Sequence, residues 1–116
     1  MLFCVEGNKM IEYPARAYLS VQRALVGEIT PNMRLISVEA SAAEIHIWVY
    51  YDGPITEEET EDFDASVGTQ VVADFPYVER GEPRVLCHFV RHDVPQRLMQ
   101  VQAGRAVYGR RELGAA

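Results

Sequence analysis

Nowhere does this sequence carry an apolar run approaching the roughly 20 residues that a membrane-spanning helix needs; stretches such as Trp48 to Tyr51 end after a few residues. No transmembrane segment is expected. A targeting pattern is missing as well. Met1 to Val5 is apolar but has no positively charged lead, and Glu6, Gly7, Asn8 and Lys9 follow at once, which is not how a secretory signal reads. The expected location is therefore the cytoplasm. Cysteine is scarce, with Cys4 and Cys87 alone, and two thiols in that compartment are expected to stay reduced and unpaired. Basic clusters are lacking too. Eleven Lys and Arg face 17 Asp and Glu, for a formal charge of −6, which opposes binding to phosphate backbones and to anionic lipid. Neither a nucleic-acid nor a membrane partner is expected.

The chemistry-bearing patterns are also absent. His46, His88 and His92 are the only histidines, and none sits in a His-Glu-x-x-His helix or beside a cysteine pair at zinc-ligand spacing. No glycine-rich loop of the phosphate-cradling kind occurs, and no Gly-x-Ser-x-Gly elbow. The sequence thus assigns no catalytic residue, no metal site and no cofactor, and a non-enzymatic role is favoured.

What is present describes one ordinary globular domain over residues 1–116, with residues 1–13 as an irregular N-terminal extension. Pro14 suits a first helical turn, and Pro14, Tyr18, Val21 and Leu25 recur at helical spacing, predicting a helix to about Val26 with Gly27 as its stop. From Met33 the period becomes two. Ile36, Val38 and Ala40 share one face of a strand; Ile45, Ile47, Val49 and Tyr51 share one face of a second, joined to the first through Ser41-Ala42-Ala43 as a hairpin. Asp52-Gly53-Pro54 breaks the pattern, and Thr56 with Glu59 three residues on forms a capping box that starts a second helix. Phe63, Val67 and Val71 form its buried stripe as far as Ala73. Tyr77 to Glu79 can begin a short strand and Arg80-Gly81-Glu82-Pro83 a turn. Arg84 to Arg91 alternates again, with Val85, Cys87 and Phe89 on one face and His88 on the other. Arg105 to Arg110 reads as an edge strand with Val107 inward and arginines guarding the edge. The expected fold is α+β, in the order α-β-β-α-β-β, with two helices packed on one face of a mainly antiparallel sheet.

Two features bear on function. Seven acids, Asp52, Glu57, Glu58, Glu59, Glu61, Asp62 and Asp64, fall within 13 residues. The first-turn glutamates complement the helix dipole, but seven of 17 acids exceed what a dipole requires. Their spacing does not fit a calcium loop. The second feature is the row His46, Trp48 and Tyr50 on the face of the second strand opposite Ile45, Ile47 and Val49, where Trp and Tyr are residue types that anchor interfaces. Its bland alternative is that loops or the C-terminal segment cover it.

The segments Arg23 to Asn32, with Gly27-Glu28-Ile29-Thr30-Pro31-Asn32, then Tyr50-Tyr51-Asp52-Gly53 with Thr56 to Glu59, and Val71 to Pro76, resemble a family of small, largely uncharacterised bacterial α+β proteins. The resemblance spans about Arg16 to Pro95 and brings no catalytic residue. In size, charge and organisation the chain is also similar to immunity proteins that neutralise polymorphic toxins. This implies a protein-binding domain that meets a basic toxin through Glu57, Glu58, Glu59, Glu61 and Asp62, with Trp48 and Tyr50 as aromatic anchors. The competing reading is a small-molecule-binding domain or minor enzyme whose pocket, between helices and sheet, uses Tyr18, Tyr51 or His88. A homodimer through the aromatic sheet face is compatible with either.

Overall fold

Alternating apolar residues in 33–51 must place one set on a covered face, and they do so in a hairpin that forms the centre of the sheet. The computed structural model describes residues 13–41, 43–75, 83–97 and 104–112. The strand start at Tyr77–Glu79, the turn from Arg80 to Glu82, and Cys4 lie outside the described residues. In chain order the elements are α1 (Tyr13–Ala24), β1 (Met33–Ala40), β2 (Glu44–Tyr51), α2 (Glu57–Phe63), a π-helical turn (Asp64–Gly68), α3 (Thr69–Ala73), β3 (Arg84–Arg91) and β4 (Arg105–Gly109). The sheet order is β3-β2-β1-β4. β1 pairs antiparallel with β2 and with β4, whereas β2 and β3 run parallel. The expected α+β architecture is therefore observed, and its parallel pair has a clear cause. Parallel neighbours need a long crossover, and the helical stretch 57–73 supplies it.

That stretch is one rod with a π turn in the middle. Each four-residue step along an α-helix overshoots a full turn, so a stripe at every fourth residue drifts around the axis; the wider π turn winds back part of the drift. Phe63, Val67 and Val71 consequently all face inward, at 3%, 0% and 0% exposure. At the turn, Gly68 lies so close to Asp64 that a Cβ would stand 2.9 Å from the carboxylate oxygen. Thr56 caps the rod, its hydroxyl accepting from the Glu59 N–H at 3.1 Å. The reciprocal half of the expected box is replaced: the Glu59 carboxylate accepts from Asn32 Nδ2 instead.

α1 ends at Ala24, two residues before the expected Val26, and Gly27 follows in the left-handed conformation at φ 82°. Its buried face keeps Val21 and Leu25 of the expected stripe and widens to Ala17, Ser20 and Ala24. Tyr18 is half-buried and packs against the core, with the Arg105 guanidinium over its ring, 5.5 Å from the centroid. Small side chains on this face let α1 lie close to the sheet. β4 ends at Gly109 rather than Arg110, with Val107 packed against the core as expected. Between the helices and the sheet, Ile36, Val38, Ile45, Ile47, Val49 and Tyr51 are fully enclosed.

Replacing Phe63 by Ala removes a ring that meets Phe89 edge-on at 5.7 Å and leaves a cavity. The expected loss is about 3–5 kcal/mol in chemical denaturation. Thr56→Ala should cost about 0.5–2 kcal/mol through the lost cap. An unchanged midpoint in the first variant would mean that Phe63 is not a core residue, and in the second that the Thr56 hydroxyl does not cap the rod.

Candidate functional site

The acidic residues reach the surface because the inward stripe of α2 leaves them no other direction. Glu57, Glu58, Glu61, Asp62 and Asp64 are exposed, and Glu59 is half-buried against Asn32. Among the described residues, none of Glu57, Glu58, Glu61 and Asp62 makes a salt bridge. Several other acids are engaged: Asp74 with Ser20 and Arg23, Glu44 with Arg84, Asp93 with Arg91, and Glu112 with Arg34 and Arg110. Glu28 and Glu39 stand singly without a salt bridge among the described residues, so α2 carries the largest group of uncompensated acids there.

The aromatic row is arranged differently from the expectation. Tyr50 is only 2% exposed, and Ser37, which opposes Trp48 across the β1–β2 pair, is 0% exposed. Tyr50 and Ser37 are thus covered, while His46, Trp48 and His88 on the same face are half-buried. Trp48 is half-buried; its indole nitrogen is enclosed and finds no partner among the described residues. Its ring stacks instead on His88 of β3, centroid to centroid 4.1 Å, because the parallel register sets Trp48 beside His88. His88 in turn meets His46 at 2.8 Å between Nε2 and Nδ1, and His46 Nε2 lies 2.9 Å from Glu44 Oε1. Burial and the neighbouring His46 hold His88 below the usual histidine range.

Tyr18, Tyr51 and His88, the polar groups of the pocket reading, do not converge. Tyr18 lies at the flank under Arg105, Tyr51 is buried in the core beside Phe89, and His88 is on the opposite sheet face. Burial pushes the Tyr51 phenol up to about 12, and its hydroxyl has no partner among the described residues. Cys87 packs against the core, where burial raises its thiol to about 12, with Asp64 adding to the effect. At ordinary pH it is a protonated packing group rather than a nucleophile.

A charged knot that the sequence did not announce closes the other end of the sheet. The β1–β2 register shifts between Met33 and Leu35, so Arg34 is the extra residue of a bulge, and a bulge re-aims its side chain. Arg34 is 2% exposed and forms a two-pronged pair with Glu112, Nε to Oε2 at 2.7 Å and Nη2 to Oε1 at 2.9 Å, while Nη1 donates to the His92 carbonyl at 2.6 Å. Arg110 bridges from Glu112 to Asp52. The loops after β2 and β3 then clasp each other: Asp93 accepts from the Gly53 N–H at 2.7 Å, and Asp52 accepts from the Val94 N–H at 3.2 Å. Asp52 and Gly53, conspicuous in the sequence, hold this end together, with Gly53 at φ 95° and Asp52 N–H donating to the Asn32 carbonyl. The only signal of the Arg34–Glu112 pair in the sequence is an arginine between apolar Met33 and Leu35 at the start of the strand.

The hydrogen bonds from Arg34 hold the Glu112 carboxyl below the usual range. A depressed folded value means that its contribution is complete above the unfolded value near 4.5 and is lost as pH falls through the folded one. Glu112→Gln, which leaves Arg34 buried without its counter-charge, should lower stability at pH 7 by about 3 kcal/mol. In urea titrations the gap between variant and parent should narrow below pH 4. A gap that persists in acid would show that the carboxylate charge is not what matters.

The family model described as MafI2 immunity protein matches residues 14–112. No curated protein matches the chain. The matched span begins in the first turn of α1 and ends on Glu112, so it includes the whole sheet and the residue that closes the charged knot.

Proposed function

The chain belongs to the MafI2 immunity protein family, and from that premise we propose that it binds and neutralises a protein toxin in the cytoplasm, meeting it through the acidic face of α2. The observation that carries this reading is the contrast within the chain's own charges. Glu57, Glu58, Glu61 and Asp62 are exposed together without a cation among the described residues, whereas Asp52, Glu112, Asp93 and Glu44 are each matched to an arginine. A surface left with unbalanced charge repels itself and gains when a basic partner covers it. The toxin domain on this reading is basic, and the acidic face steers encounter and rejects acidic competitors.

The fold suits such a role because the acids stand on a capped helix whose inner stripe is locked in the core. Their positions are set before the partner arrives, which limits the ordering cost of binding. Glu59, half-buried and bonded to the neutral Asn32 amide, keeps its negative charge beside these acids but with less exposure. Tyr50 is buried and offers a partner little area, which leaves half-buried Trp48 as the aromatic residue of the pair with surface to offer. The partner's own apolar side chains and the flanking exposed residues of the rod, such as Ala65, would supply the close contacts.

The test is a triple reversal, Glu58→Lys, Glu61→Lys and Asp62→Lys, with association kinetics measured against the partner recovered from native-host pull-down. The expected result is slower association, most pronounced at low salt, with the denaturation midpoint lowered only slightly through the reversed first-turn charge at Glu58. A folded variant that associates at the parent rate at every salt concentration would sink the acidic-face reading. The family assignment would stand.

A further inference from the structure

β3 is an edge strand, joined along one side to β2, and on the face away from the helices the two strands are bridged by side chains. Arg84 Nη1 lies 3.1 Å from Glu44 Oε2, Glu44 Oε1 lies 2.9 Å from His46 Nε2, and His46 Nδ1 lies 2.8 Å from His88 Nε2. The two imidazoles are nearly parallel, 14° apart with centroids at 5.0 Å, and Trp48 covers His88. Two ring nitrogens at hydrogen-bond distance require one donor and one acceptor, so the pair cannot carry a proton on both facing nitrogens.

We infer that Glu44, His46 and His88 form a proton relay that pins β3 to β2, accepts one added proton and is opened by a second. The neutral relay has one fully matched arrangement. His88 Nε2–H donates to His46 Nδ1, and His46 Nε2–H donates to the Glu44 carboxylate. The other neutral assignment, with the proton on His46 Nδ1, would set the lone pair of His46 Nε2 against the carboxylate.

One added proton is absorbed without breaking a contact. It ends on His88 Nδ1 while the proton on His88 Nε2 passes to His46 Nδ1. His46 then carries the charge between Glu44 and the lone pair of His88. A second proton must enter at His88 Nε2, where it faces the His46 N–H and leaves two cations in contact. The other charged groups on this face among the described residues are Glu39, opposite His46 on β1, and Arg84 on β3. Glu39 favours a charge on His88, but burial and His46 outweigh it, so His88 is held below its ordinary 6.5. The unfolded chain therefore takes up this proton first, and stability falls as pH drops below about 6.5. The device makes β3, and with it the clasped loop at Asp93, sensitive to acid while leaving it closed at neutral pH.

Nitrogen-15 NMR of the intact protein at pH 8 should show both His46 and His88 as Nε2–H tautomers; an Nδ1–H tautomer on His46 would overturn the relay. Trp48 is the only tryptophan, so its fluorescence reports the stack on His88 through an acid titration. In the parent protein the emission should change in one step below pH 6.5. In His88→Gln, which removes the titrating ring stacked on Trp48, that step should vanish, and in His46→Gln, which removes the neighbour that helps hold His88 down, it should move to higher pH. Fluorescence titrations that superimpose for the parent and both variants would overturn the proposal, as would a parent emission unchanged down to the pH of global unfolding.

Discussion

The parallel pairing of β2 with β3 is the constraint from which the rest of the molecule follows. An antiparallel neighbour could have been reached by a tight turn, but a parallel one requires the chain to travel the length of the sheet before returning. The rod of residues 57–73 makes that journey. Because it must cross the hydrophobic face of β2, it carries an apolar stripe, and because its other side has nothing to cover, the acids of its first turns face solvent. Core formation and the display of negative charge are two consequences of one crossover. The same pairing sets His46 and Trp48 beside His88 and so creates the only cross-strand imidazole contact among the described residues.

Local departures from regular structure carry the remaining specificity. A π turn at Asp64–Gly68 keeps three residues spaced by four on the inward side. A bulge at Arg34 turns a charged side chain into the end of the sheet, where it would be costly without partners. Glu112 and the His92 carbonyl meet that need, and in doing so bind the segment after β4 to β1 and to the loop after β3. The reciprocal bonds of Asp52 and Asp93 then join the loops after β2 and β3. This end of the molecule is held by charge-assisted hydrogen bonds rather than by apolar packing alone.

On the proposed reading, in which this immunity-family chain meets a basic toxin through α2, an inhibitor that must meet its target quickly benefits from long-range attraction, which the grouped acids of α2 would supply.

The one-dimensional pattern determined whatever depends on near neighbours. Period-two alternation located β1, β2 and β3, the Thr56 cap located the start of α2, and the spacing of Phe63, Val67 and Val71 identified its inner face, because each signal arises within a few residues of its own backbone. The likeness to immunity proteins was legible in size, charge and order of elements. The direction of β3, the burial of Ala17 and Ser20 beside the α1 stripe, and the cover over Tyr50 were decided by packing between distant segments. So were the pairing of Arg34 with Glu112, 78 residues apart, and the contact between His46 and His88. An alternating strand states which residues share a face but not what lies over that face. Only the assembled sheet determines whether Trp48 and Tyr50 look outward to a partner or inward to the protein itself.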